Sequence, residues 1–129
     1  MVLAGLPILL PKGSGAAPLE ICGQTPLLVH RRYETVVRNY GRDKQIPLNL
    51  FCVSDEVLPL LTWAGNGLGI AVVPEFAPRL LSPSTLEHRV ISQPVVDSSS
   101  ALIWNKEEEL PAAAAHFVEE VMQEQGREE

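Results

Sequence analysis

The chain has 129 residues, 46% of them hydrophobic, with a formal net charge of −6 and a sequence pI near 5.0. That is enough for one small domain with its own core. The acidic balance excludes nucleic-acid binding by this chain itself, which would need a basic face. Much of the acidity is local, in Glu107-Glu108-Glu109 and in Glu119, Glu120, Glu124, Glu128 and Glu129, as expected of solvated helix faces and a fraying terminus.

Met1 to Pro11 is apolar but lacks a charged leading region, and Pro7 and Pro11 interrupt it. It does not read as an export signal and is too short to span a membrane. Leu6 to Leu10 is therefore expected as a first buried strand, followed by a Lys12-Gly13-Ser14-Gly15 loop. Pro18 to Ile21 predicts one helical turn, and Pro26 to His30 a second strand. Tyr33 to Tyr40 predicts a helix with Tyr33, Val36, Val37 and Tyr40 on one face, stopped by Gly41. Pro47 to Val53 predicts a third strand.

The next stretch is the most informative. Ser54 is suited to cap a helix, since its hydroxyl can accept a free backbone N–H. Asp55 and Glu56 then lie where the helix dipole favours negative charge. Val57, Leu58, Leu60, Leu61 and Ala64 form an apolar stripe, with Pro59 the one awkward residue. Gly65 is expected at the left-handed position that ends the helix, and Gly67 and Gly69 permit a tight return. Ile70 to Val73 is a continuous apolar run, as in a parallel strand buried on both faces.

Gly65-Asn66-Gly67-Leu68-Gly69 looks like a dinucleotide fingerprint, but there the glycines follow a strand and open a helix. Here they follow a helix and open a strand.

Beyond this, Pro74 to Ala77 predicts a turn, Leu86 to Ile91 a fifth strand and Ala101 to Asn105 a sixth. Ser92 to Ser100 turns between them, with Ser98-Ser99-Ser100 as a loop. Pro111 suits a helix start, because its missing N–H costs nothing there. Ala113, Ala114, Phe117, Val118, Val121 and Met122 give the last helix an apolar face, and Gly126 ends it. Alternating strands and helices indicate a layered α/β domain.

Several chemistries find no support. Cys22 and Cys52 fit no metal spacing and are expected as reduced thiols. His30, His88 and His116 are scattered, without the spacing of a helical metal site. No nucleophile-and-base pair is visible, and no G-x-S-x-G elbow. Neither a catalytic residue, a metal nor a cofactor is expected. Trp63 and Trp104 read as core or subdomain contacts.

Ala64 to Glu75 is similar to the "aGlGiallPe" segment of the effector-binding domain of LysR-type transcriptional regulators. Three further landmarks follow the family order: Gln24-Thr25-Pro26-Leu27-Leu28-Val29-His30, Leu102-Ile103-Trp104-Asn105-Lys106-Glu107, and Leu110 to Val118. The resemblance covers about residues 7 to 124. Asn105 stands where the family often has Arg, and Leu110-Pro111 replaces Ser-Pro.

The resemblance implies a periplasmic-binding-protein-like fold of type 2, with a mixed, mostly parallel sheet flanked by helices. It implies a partial domain, with about 17–105 as the second subdomain and 1–12 and 106–126 as remnants of the first. It also implies a cytoplasmic ligand sensor that forms a homodimer or higher oligomer, does not engage a membrane, and touches DNA only through an N-terminal domain that this chain lacks. An exported solute-binding protein of the same fold is the alternative.

In open α/β sheets ligands bind beyond the carboxyl ends of the strands. Those ends are His30-Arg31-Arg32-Tyr33, Val53-Ser54 and Pro74-Glu75-Phe76, so Arg31, Arg32, Val53, Ser54, Pro74 and Phe76 are the expected ligand-binding residues. Ser54 and the N–H groups of Asp55 and Glu56 could hold an anion at a helix N-terminus. Alternation allows only one of Arg31 and Arg32 to face the cleft, with Arg32 favoured, and its guanidinium suits a carboxylate. Many regulators of this family sense small organic acids. The competing reading is that Ser54 only caps its helix and the arginines are surface ion-pair partners, and Asp55 beside an anion counts against the site.

Overall fold

The computed structural model describes residues 1–81, 85–96 and 101–128, with side chains described to Gly126. The Ser98-Ser99-Ser100 loop lies outside the described residues. The chain divides into two compact units, Met1–Val96 and Asp97–Glu129.

The first unit is a six-stranded mixed sheet. Its strands are β1 (Val2–Gly5), β2 (Ala17–Pro18), β3 (Leu27–His30), β4 (Leu50–Ser54), β5 (Ile70–Val73) and β6 (Glu87–Gln93), in the order β2-β6-β1-β5-β3-β4. β3 runs parallel to both β4 and β5, and β2 is parallel to β6. β1 is antiparallel to β5 and β6.

The first strand is thus Val2–Gly5, and residues 6–10 form a turn in which the Leu9 and Leu10 N–H groups donate to the Leu6 carbonyl. Pro7 explains the shift. It has no N–H for a ladder, whereas all four residues of β1 are buried in the middle of the sheet.

Each sheet face carries its own core. Leu3, Leu27, Val29, Ile70 and Val72 point to one side, where Tyr33, Val37 and Tyr40 pack on them. Val2, Ala4, Leu28, Ala71 and Val73 point to the other, against Leu60, Leu61, Ala64 and Ala77. Period-2 alternation makes this division. Helix α1 (Glu34–Asp43) therefore covers one face and α2 (Val57–Gly65) the other. Cys22 belongs to the first core and Cys52 packs beside the second, so the sheet keeps them apart and both are free thiols.

Both helices end later than the glycine pattern suggests. Gly41 lies inside α1, where a Cβ would meet Leu48 Cδ1 at 3.2 Å and the Ile46 carbonyl at 3.3 Å. It permits close packing and does not stop the helix. The left-handed residue that ends α1 is Gln45, at φ 55°, with the Ile46 N–H donating to the Gly41 carbonyl at 2.8 Å. In α2 that position belongs to Gly67, at φ +80°, with the Leu68 N–H donating to the Trp63 carbonyl at 3.1 Å.

α2 also starts later than expected. Ser54 is the last residue of β4, and the capping position is Glu56, whose side chain makes no capping bond. Pro59 consequently falls in the first turn, where no backbone donor is needed. Past α2, Gly69 passes so close to Pro26 that a Cβ would meet the Pro26 carbonyl oxygen at 2.3 Å.

In the second unit, helix α3 (Ala112–Glu128) begins after Pro111, whose carbonyl accepts the Ala115 N–H at 2.9 Å. Gly126 lies within it. Residues 101–105 form no strand, because none of the described strands pairs with them. Leu102 and Trp104 instead line a groove of about 540 Å³ with Phe117, Val118, Val121 and Met122 of α3.

Candidate functional site

β5, β3 and β4 are neighbouring parallel strands, so their carboxyl ends lie at one end of the sheet. Val29 is level with Val72 and Val53, and His30 is level with Ser54. The chain leaves this edge three times: into a 3₁₀ turn at Arg31–Tyr33, into the Asp55-Glu56 turn before α2, and into Pro74-Glu75-Phe76.

The expected site residues divide here. Arg31, Arg32, Ser54 and Phe76 come to this edge, and Phe76 is 55% exposed. Val53 sits inside β4, level with Val29, and belongs to a sheet face. Pro74 is buried, and its carbonyl accepts the Ala77 N–H at 3.0 Å, so it shapes the turn that presents Phe76.

The two arginines differ in electrostatic state. Arg31 Nε lies 2.5 Å from Asp55 Oδ1 and Arg31 Nη1 lies 3.7 Å from Glu34 Oε1. Among the described residues the exposed Arg32 guanidinium has no hydrogen-bond or ion-pair partner, while its backbone N–H donates to His30 Nδ1 at 3.1 Å. His30 therefore holds the turn that carries Arg32, with the His30 and Tyr33 rings 6.2 Å apart. Tyr33, buried in the core at 2% exposure, anchors the turn on its other side.

The Ser54 hydroxyl is engaged locally, accepting the Glu56 N–H at 3.1 Å. The backbone N–H groups left without an intrahelical partner by their position in α2 are those of Val57 and Leu58, Pro59 having none. The edge thus carries an exposed guanidinium with no partner among the described residues and a helix N-terminus flanked by the Asp55 and Glu56 carboxylates, the first suited to an anion and the second opposed to it.

Arg31 is a surface ion-pair partner, as the competing reading had it, and the strand register supplies the partner the sequence did not name, Asp55. A further groove of about 340 Å³, lined by Val37, Arg38, Gly41, Ile46 and Leu48, adjoins Leu50, where β4 begins, at the opposite end of the sheet. Among the described residues no group of three His, Cys, Asp or Glu could hold a metal, and no helix is long and apolar enough to cross a membrane.

No curated protein matches the chain. Among solved structures, the effector binding domain of QuiR in complex with shikimate has a similar fold. The TM-score is 0.56 at 11% identity, over 74% of this chain and 46% of that one. The chain thus spans about half the length of that neighbour. The model of the LysR substrate binding domain matches residues 2–126. With that match over nearly its whole length, and with the mixed sheet and flanking helices the family fold requires, the chain belongs to the LysR substrate-binding domain family.

Proposed function

We propose that the chain is the ligand-sensing part of a cytoplasmic transcriptional regulator, and that it takes a small organic acid at the carboxyl ends of β3, β4 and β5. Arg32 holds the carboxylate, the first turn of α2 offers its N–H groups, and Phe76 covers the rest of the ligand. Ligand closure then biases an attached DNA-binding domain, and the regulator works as a dimer or higher oligomer. The observation that carries this reading is the Arg32 guanidinium, without a partner among the described residues, at the strand ends of a LysR substrate-binding domain. The solved neighbour bound to shikimate, itself a small carboxylate, supports the choice of ligand class.

Calorimetry with a panel of small carboxylates, shikimate included, tests it. One of them binds, and Arg32→Ala weakens it by about tenfold or more, the worth of a charge-assisted hydrogen bond. Binding that survives Arg32→Ala unchanged refutes this site.

A further inference from the structure

A guanidinium fork is the best protein partner for a carboxylate, and this sheet edge has two. The Arg31 fork is occupied by Asp55 at 2.5 Å and approached by Glu34 at 3.7 Å. Only the Arg32 fork is unpartnered among the described residues. The carboxylates on the segments around it are those of Glu34, Asp55, Glu56 and Glu75, and Glu34 is itself held by Arg38 at 3.3 Å.

One ligand carboxylate therefore finds a cation in Arg32. A second meets the Arg31 fork already held by Asp55. An unpaired charge set against the wrong ligand is a recognised source of specificity.

Resting on the site proposed above, we infer that Asp55 is a specificity-determining residue: by occupying Arg31 it restricts the site to ligands with a single carboxylate. Removing its charge leaves Arg31 only the 3.7 Å approach of Glu34, which Arg38 already holds, and so frees the Nε side of Arg31 for a second carboxylate and opens the site to dicarboxylates. The Asp55 side chain is 69% exposed, so Asp55→Asn leaves the core untouched.

The test is a titration of the full chain with acetate and with malonate, followed by the NMR signals of the arginine Nε–H groups. In the unaltered chain acetate shifts the Arg32 signal and leaves that of Arg31 in place, and malonate binds no more tightly than acetate. In Asp55→Asn malonate shifts both signals and gains about tenfold or more over acetate, the worth of one added charge-assisted bond. Malonate binding tighter than acetate in the unaltered chain, or a malonate-to-acetate ratio unmoved by Asp55→Asn, overturns the role of Asp55 and leaves the anion site standing. An Arg32 signal that responds to neither anion in either chain overturns the anion site, and this inference with it.

Discussion

Arg31 Nε and Asp55 Oδ1 lie 2.5 Å apart although 24 residues separate them in the chain. The pairing follows from the parallel register, which sets His30 level with Ser54 and so brings the next residue of each strand side by side. Both side chains are more than half exposed, so the pair stabilises the fold little. A double-mutant cycle of Arg31→Ala and Asp55→Ala in urea is expected to give a coupling of about 1 kcal/mol or less. That coupling should fade as ionic strength approaches 1 M. A coupling of several kcal/mol, insensitive to salt, would show a desolvated pair in its place.

Two glycines only four residues apart should respond oppositely to alanine. A Cβ on Gly69 would meet the Pro26 carbonyl oxygen at 2.3 Å, and this is the oxygen that accepts the Ile70 N–H at 2.9 Å. The clash is with backbone, which cannot swing aside, so Gly69→Ala should cost about 1–3 kcal/mol. Gly65 is the last residue of α2 and a Cβ there meets nothing within 4 Å. Gly65→Ala should stabilise by about 0.5–1 kcal/mol through helix propensity. Paired urea denaturation curves check both signs.

These glycines also show what could be read from the sequence and what could not. Ile70 to Val73 was legible as a doubly buried strand, because a strand covered on both faces is apolar at every position. α2 was legible from its apolar stripe, but its ends were not. Ser54 has the chemistry of a cap, yet the ladder with His30 holds it in β4 and moves the helix start to Val57. Of three glycines near the C-terminal end of α2, only the chain path tells that Gly67 takes the left-handed turn and Gly69 the close approach. Arg32 and Phe76 could be placed at the strand ends by general rules for parallel sheets. The state of Arg31 depends on a contact across 24 residues, which no local pattern encodes.

Gln45 is a non-glycine residue at φ 55°, the position that reverses the chain after α1. Its N–H donates to the Arg42 carbonyl at 3.2 Å and the Ile46 N–H to the Gly41 carbonyl at 2.8 Å, so the surrounding bonds enforce the conformation. An L-residue pays about 1–2 kcal/mol to sit there, and glycine returns part of that as lost backbone entropy. Gln45→Gly should therefore raise stability by up to about 1 kcal/mol. A denaturation midpoint that falls instead would show that the Gln45 side chain stabilises this turn.

Alkaline pH should weaken the first unit through two groups. Burial pushes the Cys22 thiol up to about 12 from its ordinary 9.0. The Tyr40 hydroxyl donates to the Glu20 carboxylate, and that bond, helped by burial and by the nearby charge, pushes it up to about 12 from 10.0. In both cases the folded chain keeps a proton that the unfolded chain gives up. Their contribution is thus fully present below about pH 9 and is lost as pH rises toward 12. Urea midpoints measured from pH 7 to 11 should hold level and then fall above 9. Glu20→Gln should flatten the part of that fall due to Tyr40, since it removes the charged acceptor. The same burial makes Cys22 slow to react with a thiol reagent at pH 8. Cys52 is only half-buried, and it should label first, with Cys22 following at the rate of unfolding. Equal labelling rates for the two thiols would contradict the burial of Cys22 beneath the sheet.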